Sequence, residues 1–328
     1  MAHYCPPRIY RNGHSNTLAA ASTVRKAYAQ QVSQPLRKQS ESLTLELSNA
    51  VRLQGLLNGS QISKPEQKPL VMILHGWLGC ANSLYLLPLA SALHQKGFNV
   101  FRLNLRDHGG TQHLNKELFH SCRLEEVLQA TEAIQQQVPH SDFYLIGFSL
   151  GGNFALRIGA QAYKHHLEIK KIFSICPVMD PSNALNKMET MLNIYTAYYL
   201  RRWKNMLRKK HQLFPDDYDL QSINQQGSLI GMTEHLLLQY TEFDSVENYL
   251  NGYSIIGAKL KPLTIPSEVF IAEDDPVIPA RDREKLYATA SLKLNLTQFG
   301  GHCGYLKGLF NMNWVDEQII QQLTKEKN

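Results

Sequence analysis

The chain has 328 residues, of which 43% are hydrophobic and 19% are charged. These values are ordinary for a globular protein, and they exclude an intrinsically disordered chain, which has few apolar residues and a high net charge. The formal net charge of +6 is matched by residues 1–40, which contain six Lys or Arg and no Asp or Glu. We therefore treat residues 1–40 as a basic N-terminal arm.

Cysteine usage and hydropathy indicate the compartment. Five cysteines are widely scattered, without CxxC pairs or Cys and His at zinc spacing, which favours a reducing compartment and predicts no metal. No apolar run reaches the roughly 20 residues needed to span a bilayer. Residues 18–24 are too few and too polar for a signal peptide, and Pro6, Pro7 and Pro35 interrupt the long amphipathic helix of a transit peptide. We expect a cytoplasmic protein.

A second basic segment surrounds Trp203 and Met206. It contains Arg201, Arg202, Lys204, Arg208, Lys209 and Lys210. Such runs are usually the solvated face of a helix, and we favour that interpretation. The alternative is that the two basic segments make weak, salt-sensitive contact with an anionic membrane surface. We expect no nucleic-acid partner.

The elements after the arm begin with two short antiparallel strands, because Leu43, Leu45 and Leu47 alternate with polar neighbours and a second alternating stretch starts at Val51. Residues 64–68 form a polar loop. Continuous apolar strands then alternate with amphipathic helices, which is typical of a parallel sheet covered on both faces. The predicted strands are 70–74, 98–105, 143–148 and 169–175, and the predicted helices begin near Pro88, at Leu124 and after Gly152.

The alternation stops between Asp180 and about Tyr249, where apolar residues at helical spacing predict an inserted, mainly helical cap. It resumes with strands 268–272 and 292–299, a helix near 280–288, and a closing helix that contains Trp314 and Leu323. The chain is thus divided into the basic arm (1–40), the first part of an α/β core (41–179), the cap (180–250) and the second part of the core (251–328).

Residues 147–151 (Gly-Phe-Ser-Leu-Gly) lie between a predicted buried strand and a predicted helix. This is the GxSxG pattern of a nucleophile elbow, a sharp turn that holds its serine in a strained conformation and needs glycines where backbone segments approach closely. The helix N-terminus favours negative charge that develops nearby. We predict that Ser149 is a nucleophile. The alternative, a chance glycine-serine turn, leaves the flanking strand and helix without a role.

A serine hydroxyl needs a general base and an orienting carboxylate, and downstream of a GxSxG elbow they follow in the order Asp, His. The strand at 268–272 ends in an acidic turn, where we choose Asp275 as the carboxylate and keep Asp274 and Glu273 as alternatives. His302 lies in a loop after the last strand, with glycines on both sides that let its imidazole reach the serine, and is the predicted base. Cys303 is a weaker candidate nucleophile, because no second histidine lies in a comparable loop.

The segment His75-Gly76-Trp77 follows the first parallel strand. The backbone N–H of Trp77 is predicted to join that of Leu150 in an oxyanion hole. His75 is an alternative base, although a histidine at this position more often shapes the turn, and we assign it a structural role.

Together these residues resemble the α/β-hydrolase superfamily and, within it, the YheT-like branch (AB-hydrolase type 4). The segments that carry the resemblance are 75–79, 104–110, 147–153, 274–276 and 300–304, and the stretch around residues 15–18 looks like the N-terminal stretch of that branch. The resemblance covers nearly the whole chain. One departure is Asp107-His108, where such proteins often carry a small residue after the arginine. The resemblance implies an α/β-hydrolase fold: a mostly parallel twisted sheet with helices on both faces and an inserted helical cap.

Proteins of this branch are regarded as esterases or lipases that act on carboxyl esters, some of them acylglycerols or phospholipids. The implied reaction is acyl transfer through an acyl-enzyme on Ser149, with His302 as base and Asp275 as its partner, and without a metal or organic cofactor. The expected substrate is a small-molecule carboxyl ester with an apolar acyl chain. A dehalogenase would need a carboxylate at position 149. Two alternatives stay open: an acyltransferase that uses the same triad, and a noncatalytic binding protein on this fold.

Overall fold

The computed structural model describes residues 4–59, 67–191 and 193–327. The strands are β1 (Glu41–Glu46), β2 (Arg52–Asn58), β3 (Leu70–Leu74), β4 (Asn99–Leu103), β5 (Phe143–Phe148), β6 (Lys171–Ile175), β7 (Ser267–Ala272) and β8 (Leu292–Thr297). They form one eight-stranded sheet in the order β1-β2-β4-β3-β5-β6-β7-β8. β2 pairs antiparallel with β1 and β4, and the other neighbouring strands pair in parallel. The predicted mostly parallel sheet is confirmed.

The helices precede the sheet, connect its strands and close the chain. They are α1 (Gly13–Ala20), α2 (Thr23–Val32), α3 (Gln34–Lys38), α4 (Leu87–Gln95), α5 (Leu124–Gln137), α6 (Leu150–Gln161), α7 (Pro181–Thr190), α8 (Asn193–Leu213), α9 (Leu220–Gln225), α10 (Leu229–Tyr240), α11 (Val246–Tyr253) and α12 (Trp314–Lys327). None of the described helices is both long and apolar enough to cross a membrane.

The core lies on both faces of the sheet, because successive side chains of a strand point to opposite faces. Leu70, Met72 and Leu74 of β3 join an apolar cluster with α5 and α6, whereas Val71 and Ile73 join a second cluster with α4 and α12. A strand that is buried on both sides must be apolar throughout, which explains the continuous apolar runs in the sequence.

The inserted segment between β6 and β7 carries five of the helices, α7 to α11. Four of them are capped by side chains that accept backbone N–H groups at the helix start: Asp180, Asp219, Ser228 and Ser245. Asp219 precedes the short helix α9, and α11 continues past the predicted boundary at residue 250.

Several local expectations differ from the structure. The predicted helix near 280–288 is a short 3-10 helix, Ala280–Lys285. The first part of the predicted polar loop, residues 64–66, lies outside the described residues. The interpretation of the second basic segment as a solvated face is wrong for Lys210, which is 1% exposed and whose Nζ lies 2.8 Å from Asp107 Oδ1.

The described residues of the predicted arm are folded onto the body. Tyr4 and Leu36 are buried in the second apolar cluster. Arg25 is 3% exposed, and its guanidinium donates to the carbonyl oxygens of Leu309 and Asn311. Arg25 is therefore not available to an anionic surface.

Candidate active site

Ser149 lies at the turn between β5 and α6, with φ +53° and ψ −117°. A side chain at Gly147 would overlap the carbonyl oxygen of Gly151, and one at Gly151 would overlap that of Leu74. The Ser149 N–H donates to the carbonyl oxygen of Ile175 at the end of β6, at 2.8 Å. The serine is thus held in a strained conformation by packing and by the neighbouring strand.

His302 lies in the loop between β8 and α12, and its two ring nitrogens face two different groups. Nε2 lies 3.0 Å from Ser149 Oγ, and Nδ1 lies 2.9 Å from Asp275 Oδ2. Because a carboxylate only accepts hydrogen bonds, Nδ1 carries the proton and Nε2 presents its lone pair to the hydroxyl. The arrangement has the geometry of a nucleophile, a base and an orienting carboxylate.

The electrostatics of this group favour a basic imidazole. Burial by itself lowers the pKa of His302, but the charge of Asp275 and its hydrogen bond raise it, and the net result is a pKa above the ordinary 6.5. The carboxylate therefore favours the protonated form of the His302 ring.

The three carboxylates of the acidic turn after β7 have different surroundings. Asp275 is 4% exposed, and its Oδ1 accepts the N–H groups of Val277 at 2.7 Å and Ile278 at 2.9 Å, which leaves Oδ2 for His302. Asp274 Oδ1 instead accepts the N–H of Gly301 at 2.8 Å. Glu273 is exposed. Of the three candidates, it is Asp275 that the structure brings to His302.

The loop predicted to hold the oxyanion lies beside the serine, since a Cβ added at Gly76 would be 3.1 Å from Ser149 Cβ. Among the described residues, no hydrogen bond uses the N–H of Trp77 or of Leu150. Leu78 has φ +56° and donates its N–H to His108 Nε2 at 3.1 Å, while its carbonyl oxygen accepts from Arg202 of α8.

Two buried histidines support this loop, and one of them was singled out by sequence. His75 donates to the Gly76 carbonyl oxygen through Nδ1 and accepts the Leu105 N–H at Nε2, which confirms its structural role. Burial lowers the pKa of His75 to about 3 and that of His108 to about 4, so both rings are neutral at neutral pH. The sequence alone did not assign His108 this supporting contact with the loop. The one signal for it was that Asp107-His108 departs from the family pattern, which often has a small residue after the arginine.

Two thiols beside Ser149 and His302, those of Cys176 and Cys303, are buried. Burial raises the pKa of the Cys303 thiol well above its ordinary value, so the thiolate needed for attack is disfavoured. Cys176, His302 and Cys303 are the one group of three or more His, Cys, Asp or Glu among the described residues whose possible metal-ligand atoms all lie within 4.8 Å of one another. Both ring nitrogens of His302 already face Ser149 and Asp275, so a metal ion there would disrupt those contacts.

A cavity of about 700 Å³ opens above Ser149 and His302. Apolar and aromatic side chains of the inserted segment form much of its wall: Leu185, Met188, Tyr199, Trp203, Leu250 and Tyr253. Trp77 stacks on Tyr199 with ring centroids 5.6 Å apart. Thr17, Leu18 and Ala20 of α1 also line the cavity, and sequence analysis did not connect them with the site.

Comparison with known proteins identifies the fold family. The family model for the alpha/beta hydrolase fold matches residues 69–309, which is more than half of the chain. The chain is 22% identical over 270 residues to the putative esterase YheT of Escherichia coli, with 80% of this chain and 78% of that protein covered. It is also 22% identical over 268 residues to phospholipase ABHD3 of Mus musculus, where 79% of this chain and 64% of that protein are covered. The chain thus spans less than two thirds of the length of mouse ABHD3.

Solved structures share the architecture. Est1E from Butyrivibrio proteoclasticus, determined with ferulic acid bound, superposes with a TM-score of 0.55 at 17% identity, over 86% of this chain and 98% of that one. A membrane phospholipase A gives a TM-score of 0.55 at 16% identity, over 96% of this chain and 98% of that one. At these identities the likeness shows the fold alone. With its sheet, its elbow and its match over residues 69–309, the chain belongs to the α/β-hydrolase family, with YheT-like relatives.

Proposed function

We propose that this chain is a serine esterase that cleaves carboxyl esters with an apolar acyl chain. The observation that carries the proposal is the continuous path from Ser149 Oγ through the His302 imidazole to Asp275 Oδ2, with contacts of 3.0 and 2.9 Å, at the base of a largely apolar cavity. The names of the relatives, an esterase and a phospholipase, support an ester as the substrate class.

The reaction begins when Ser149 Oγ attacks the ester carbonyl carbon and its proton passes to His302 Nε2. The carbonyl oxygen becomes an oxyanion, which the N–H groups of Trp77 and Leu150 stabilise. His302 then returns the proton to the leaving alcohol as the carbon–oxygen bond breaks, and the acyl group stays on Ser149. A water molecule, deprotonated by the same imidazole, attacks the acyl-enzyme and releases the acid.

The inserted segment supplies the specificity in this proposal. Its helices α7, α8 and α11 present Met188, Trp203 and Leu250 to the cavity, where an apolar chain would leave water. We propose that this cap, residues 180–250, selects the length of the acyl chain.

The decisive experiment is labelling with a fluorophosphonate, which reacts with an activated serine. Wild-type protein should be labelled at Ser149, Ser149→Ala should not be labelled, and the control Ser42→Ala, at an exposed position of β1, should behave like the wild type. Absence of label on Ser149, or label that persists in Ser149→Ala, would refute the proposal. A panel of esters of graded chain length, with the free acid measured as product, then separates hydrolysis from transfer to another acceptor.

A further inference from the structure

The first turns of α1 lie directly against the loop that carries His302. The His302 backbone N–H donates to Thr17 Oγ1 at 2.8 Å, and the Thr17 hydroxyl donates to the Gly13 carbonyl oxygen at 2.7 Å. Because its single proton is committed to Gly13, the hydroxyl must present a lone pair to His302. The threonine therefore acts as a fixed acceptor for that N–H group.

The approach of the two segments is too close for any side chain to lie between them. A Cβ added at Gly301, where φ is +56°, would be 2.6 Å from both the Gly13 carbonyl oxygen and Thr17 Oγ1. A Cβ added at Gly13 would overlap the carbonyl oxygen of Asp274. α1 thus contacts the loop of His302 and also the residue that precedes Asp275.

A buried polar network anchors α1 in this position. Asn16, which is fully buried, donates through Nδ2 to the Tyr4 hydroxyl at 3.1 Å and to the Tyr10 carbonyl oxygen at 3.2 Å. Its Oδ1 accepts the Leu306 N–H at 3.3 Å, and the Tyr4 hydroxyl donates to the Leu306 carbonyl oxygen at 2.9 Å. The histidine loop is therefore held by the N-terminal segment at two points, His302 and Leu306.

The His302 loop needs such support because it is rich in glycine. Gly300 and Gly301 have φ of +153° and +56°, and glycine gives the backbone many alternative conformations. Asp275 orients the imidazole ring, but the hydrogen bond from the His302 main chain goes to Thr17. A displacement of about 1 Å in a catalytic group can lower a rate by on the order of 10²-fold.

We propose that Thr17 is a positioning residue for the reaction of Ser149, which holds the main chain of His302 so that Nε2 stays aligned with Ser149 Oγ. The inference rests on the proposed function. It makes the N-terminal segment a part of the active site, although its sequence suggested a basic arm.

The test compares three variants of the full chain. Thr17→Val keeps the shape of the side chain and removes the acceptor, whereas Thr17→Ser keeps the hydroxyl. Thr131→Val is the matched control, because Thr131 of α5 is also a helical threonine whose hydroxyl donates to a carbonyl oxygen one turn back, that of Val127 at 2.7 Å. Each variant is measured for kcat, KM and the pH dependence of kcat/KM on a short-chain ester, and for Tm.

Thr17→Val should lower kcat by roughly 10- to 100-fold with KM within about twofold, since alignment for the chemical step is lost while the cavity is kept. Its acid limb should move to lower pH, because a looser histidine loop weakens the contact with Asp275 that raises the pKa of His302. Thr17→Ser should recover most of kcat, and Thr131→Val should keep the wild-type kcat even where its Tm falls.

Three results would overturn the inference: wild-type kcat in Thr17→Val, equal losses in Thr17→Val and Thr17→Ser, or a loss in Thr131→Val as large as that in Thr17→Val. If Thr17→Val does not fold, Thr17→Ala is compared with Thr17→Ser in the same way. These results differ from a failure of the proposed function itself, in which wild-type protein would show no ester cleavage and no label on Ser149.

Discussion

Replacing Asp275 by asparagine should change which ring nitrogen of His302 carries the proton, while the shape of the site is kept. Asp275 Oδ1 accepts two main-chain N–H groups, from Val277 and Ile278, and a carboxamide can accept them only with its oxygen. The NH₂ group of the introduced carboxamide would therefore face His302 Nδ1. That nitrogen would have to accept, which places the imidazole proton on Nε2, where it blocks transfer from Ser149.

The expected loss in kcat/KM for Asp275→Asn is on the order of 10³- to 10⁴-fold, the size of effect known for a wrong tautomer in a serine triad. At about 1.4 kcal/mol for each tenfold change, this is about 4–5.5 kcal/mol of transition-state stabilisation. The assay is the hydrolysis of a short-chain ester across a range of pH. Asp274→Asn is the matched control, because its Oδ1 can still accept the Gly301 N–H, and we expect less than about a tenfold loss there.

The pH dependence gives an independent check. Wild-type activity should be lost as pH falls through a value above 6.5, because the neutral imidazole is the base and the pKa of His302 is raised. In Asp275→Asn burial still lowers that pKa but no carboxylate raises it, so the acid limb of the residual activity should move to lower pH. An Asp275→Asn variant with more than a tenth of wild-type activity, or an Asp274→Asn variant that is equally impaired, would refute the assignment.

Three further predictions concern the cap, the cavity and stability. Lys210→Met should lower the free energy of unfolding by about 3–5 kcal/mol in urea titrations, because it leaves Asp107 buried without its cation, and adding Asp107→Asn should restore part of the loss; equal stability in all three proteins would contradict this. Leu250→Trp should shift the preferred ester toward shorter chains in a graded panel, and an unchanged chain-length profile would separate the cap from specificity. Asp316 is fully buried, neither of its oxygens has a hydrogen-bond partner among the described residues, and burial raises its pKa to about 8. Its protonated form is thus favoured in the folded state, and the stability that this form contributes is lost as pH rises from about 4 through about 8. Asp316→Asn should therefore raise Tm most at about pH 9 and least at about pH 4, and a pH-independent difference in Tm would count against the buried charge.

The residues that sequence analysis placed in the site share a local signal. Ser149, Asp275 and His302 each follow a strand of the parallel sheet, and the carboxyl ends of parallel strands meet at one edge. Strand pattern and flanking glycines could therefore identify them without any knowledge of contacts. The choice between Asp274 and Asp275 had no such signal, because it depends on which oxygen the N–H groups of Val277 and Ile278 occupy.

What the sequence could not show are contacts between distant segments. Thr17 and His302 are 285 positions apart, and Lys210 lies 103 positions from Asp107. In both cases the local pattern favoured another interpretation, since Thr17 lies in a 40-residue segment whose charged residues are all basic and Lys210 ends a run of cations. Composition describes the average behaviour of a segment, whereas burial of one hydroxyl or one ammonium depends on what the rest of the chain packs against it.

Arg202 of α8 links the cap to the loop that carries Trp77. Leu78 has a positive φ, which is unfavourable for a non-glycine residue, and it keeps this conformation between the His108 imidazole on its N–H and the Arg202 guanidinium on its carbonyl oxygen. Arg202 belongs to α8, and Lys210 further along the same helix docks it onto the body through Asp107. A buried ion pair contributes little net stability compared with apolar packing, but it tolerates only one arrangement of the two segments. The pair at Asp107 and Lys210 therefore fixes the helix that supports the loop of Trp77, so the position of the cap and the geometry of the proposed oxyanion hole are set together.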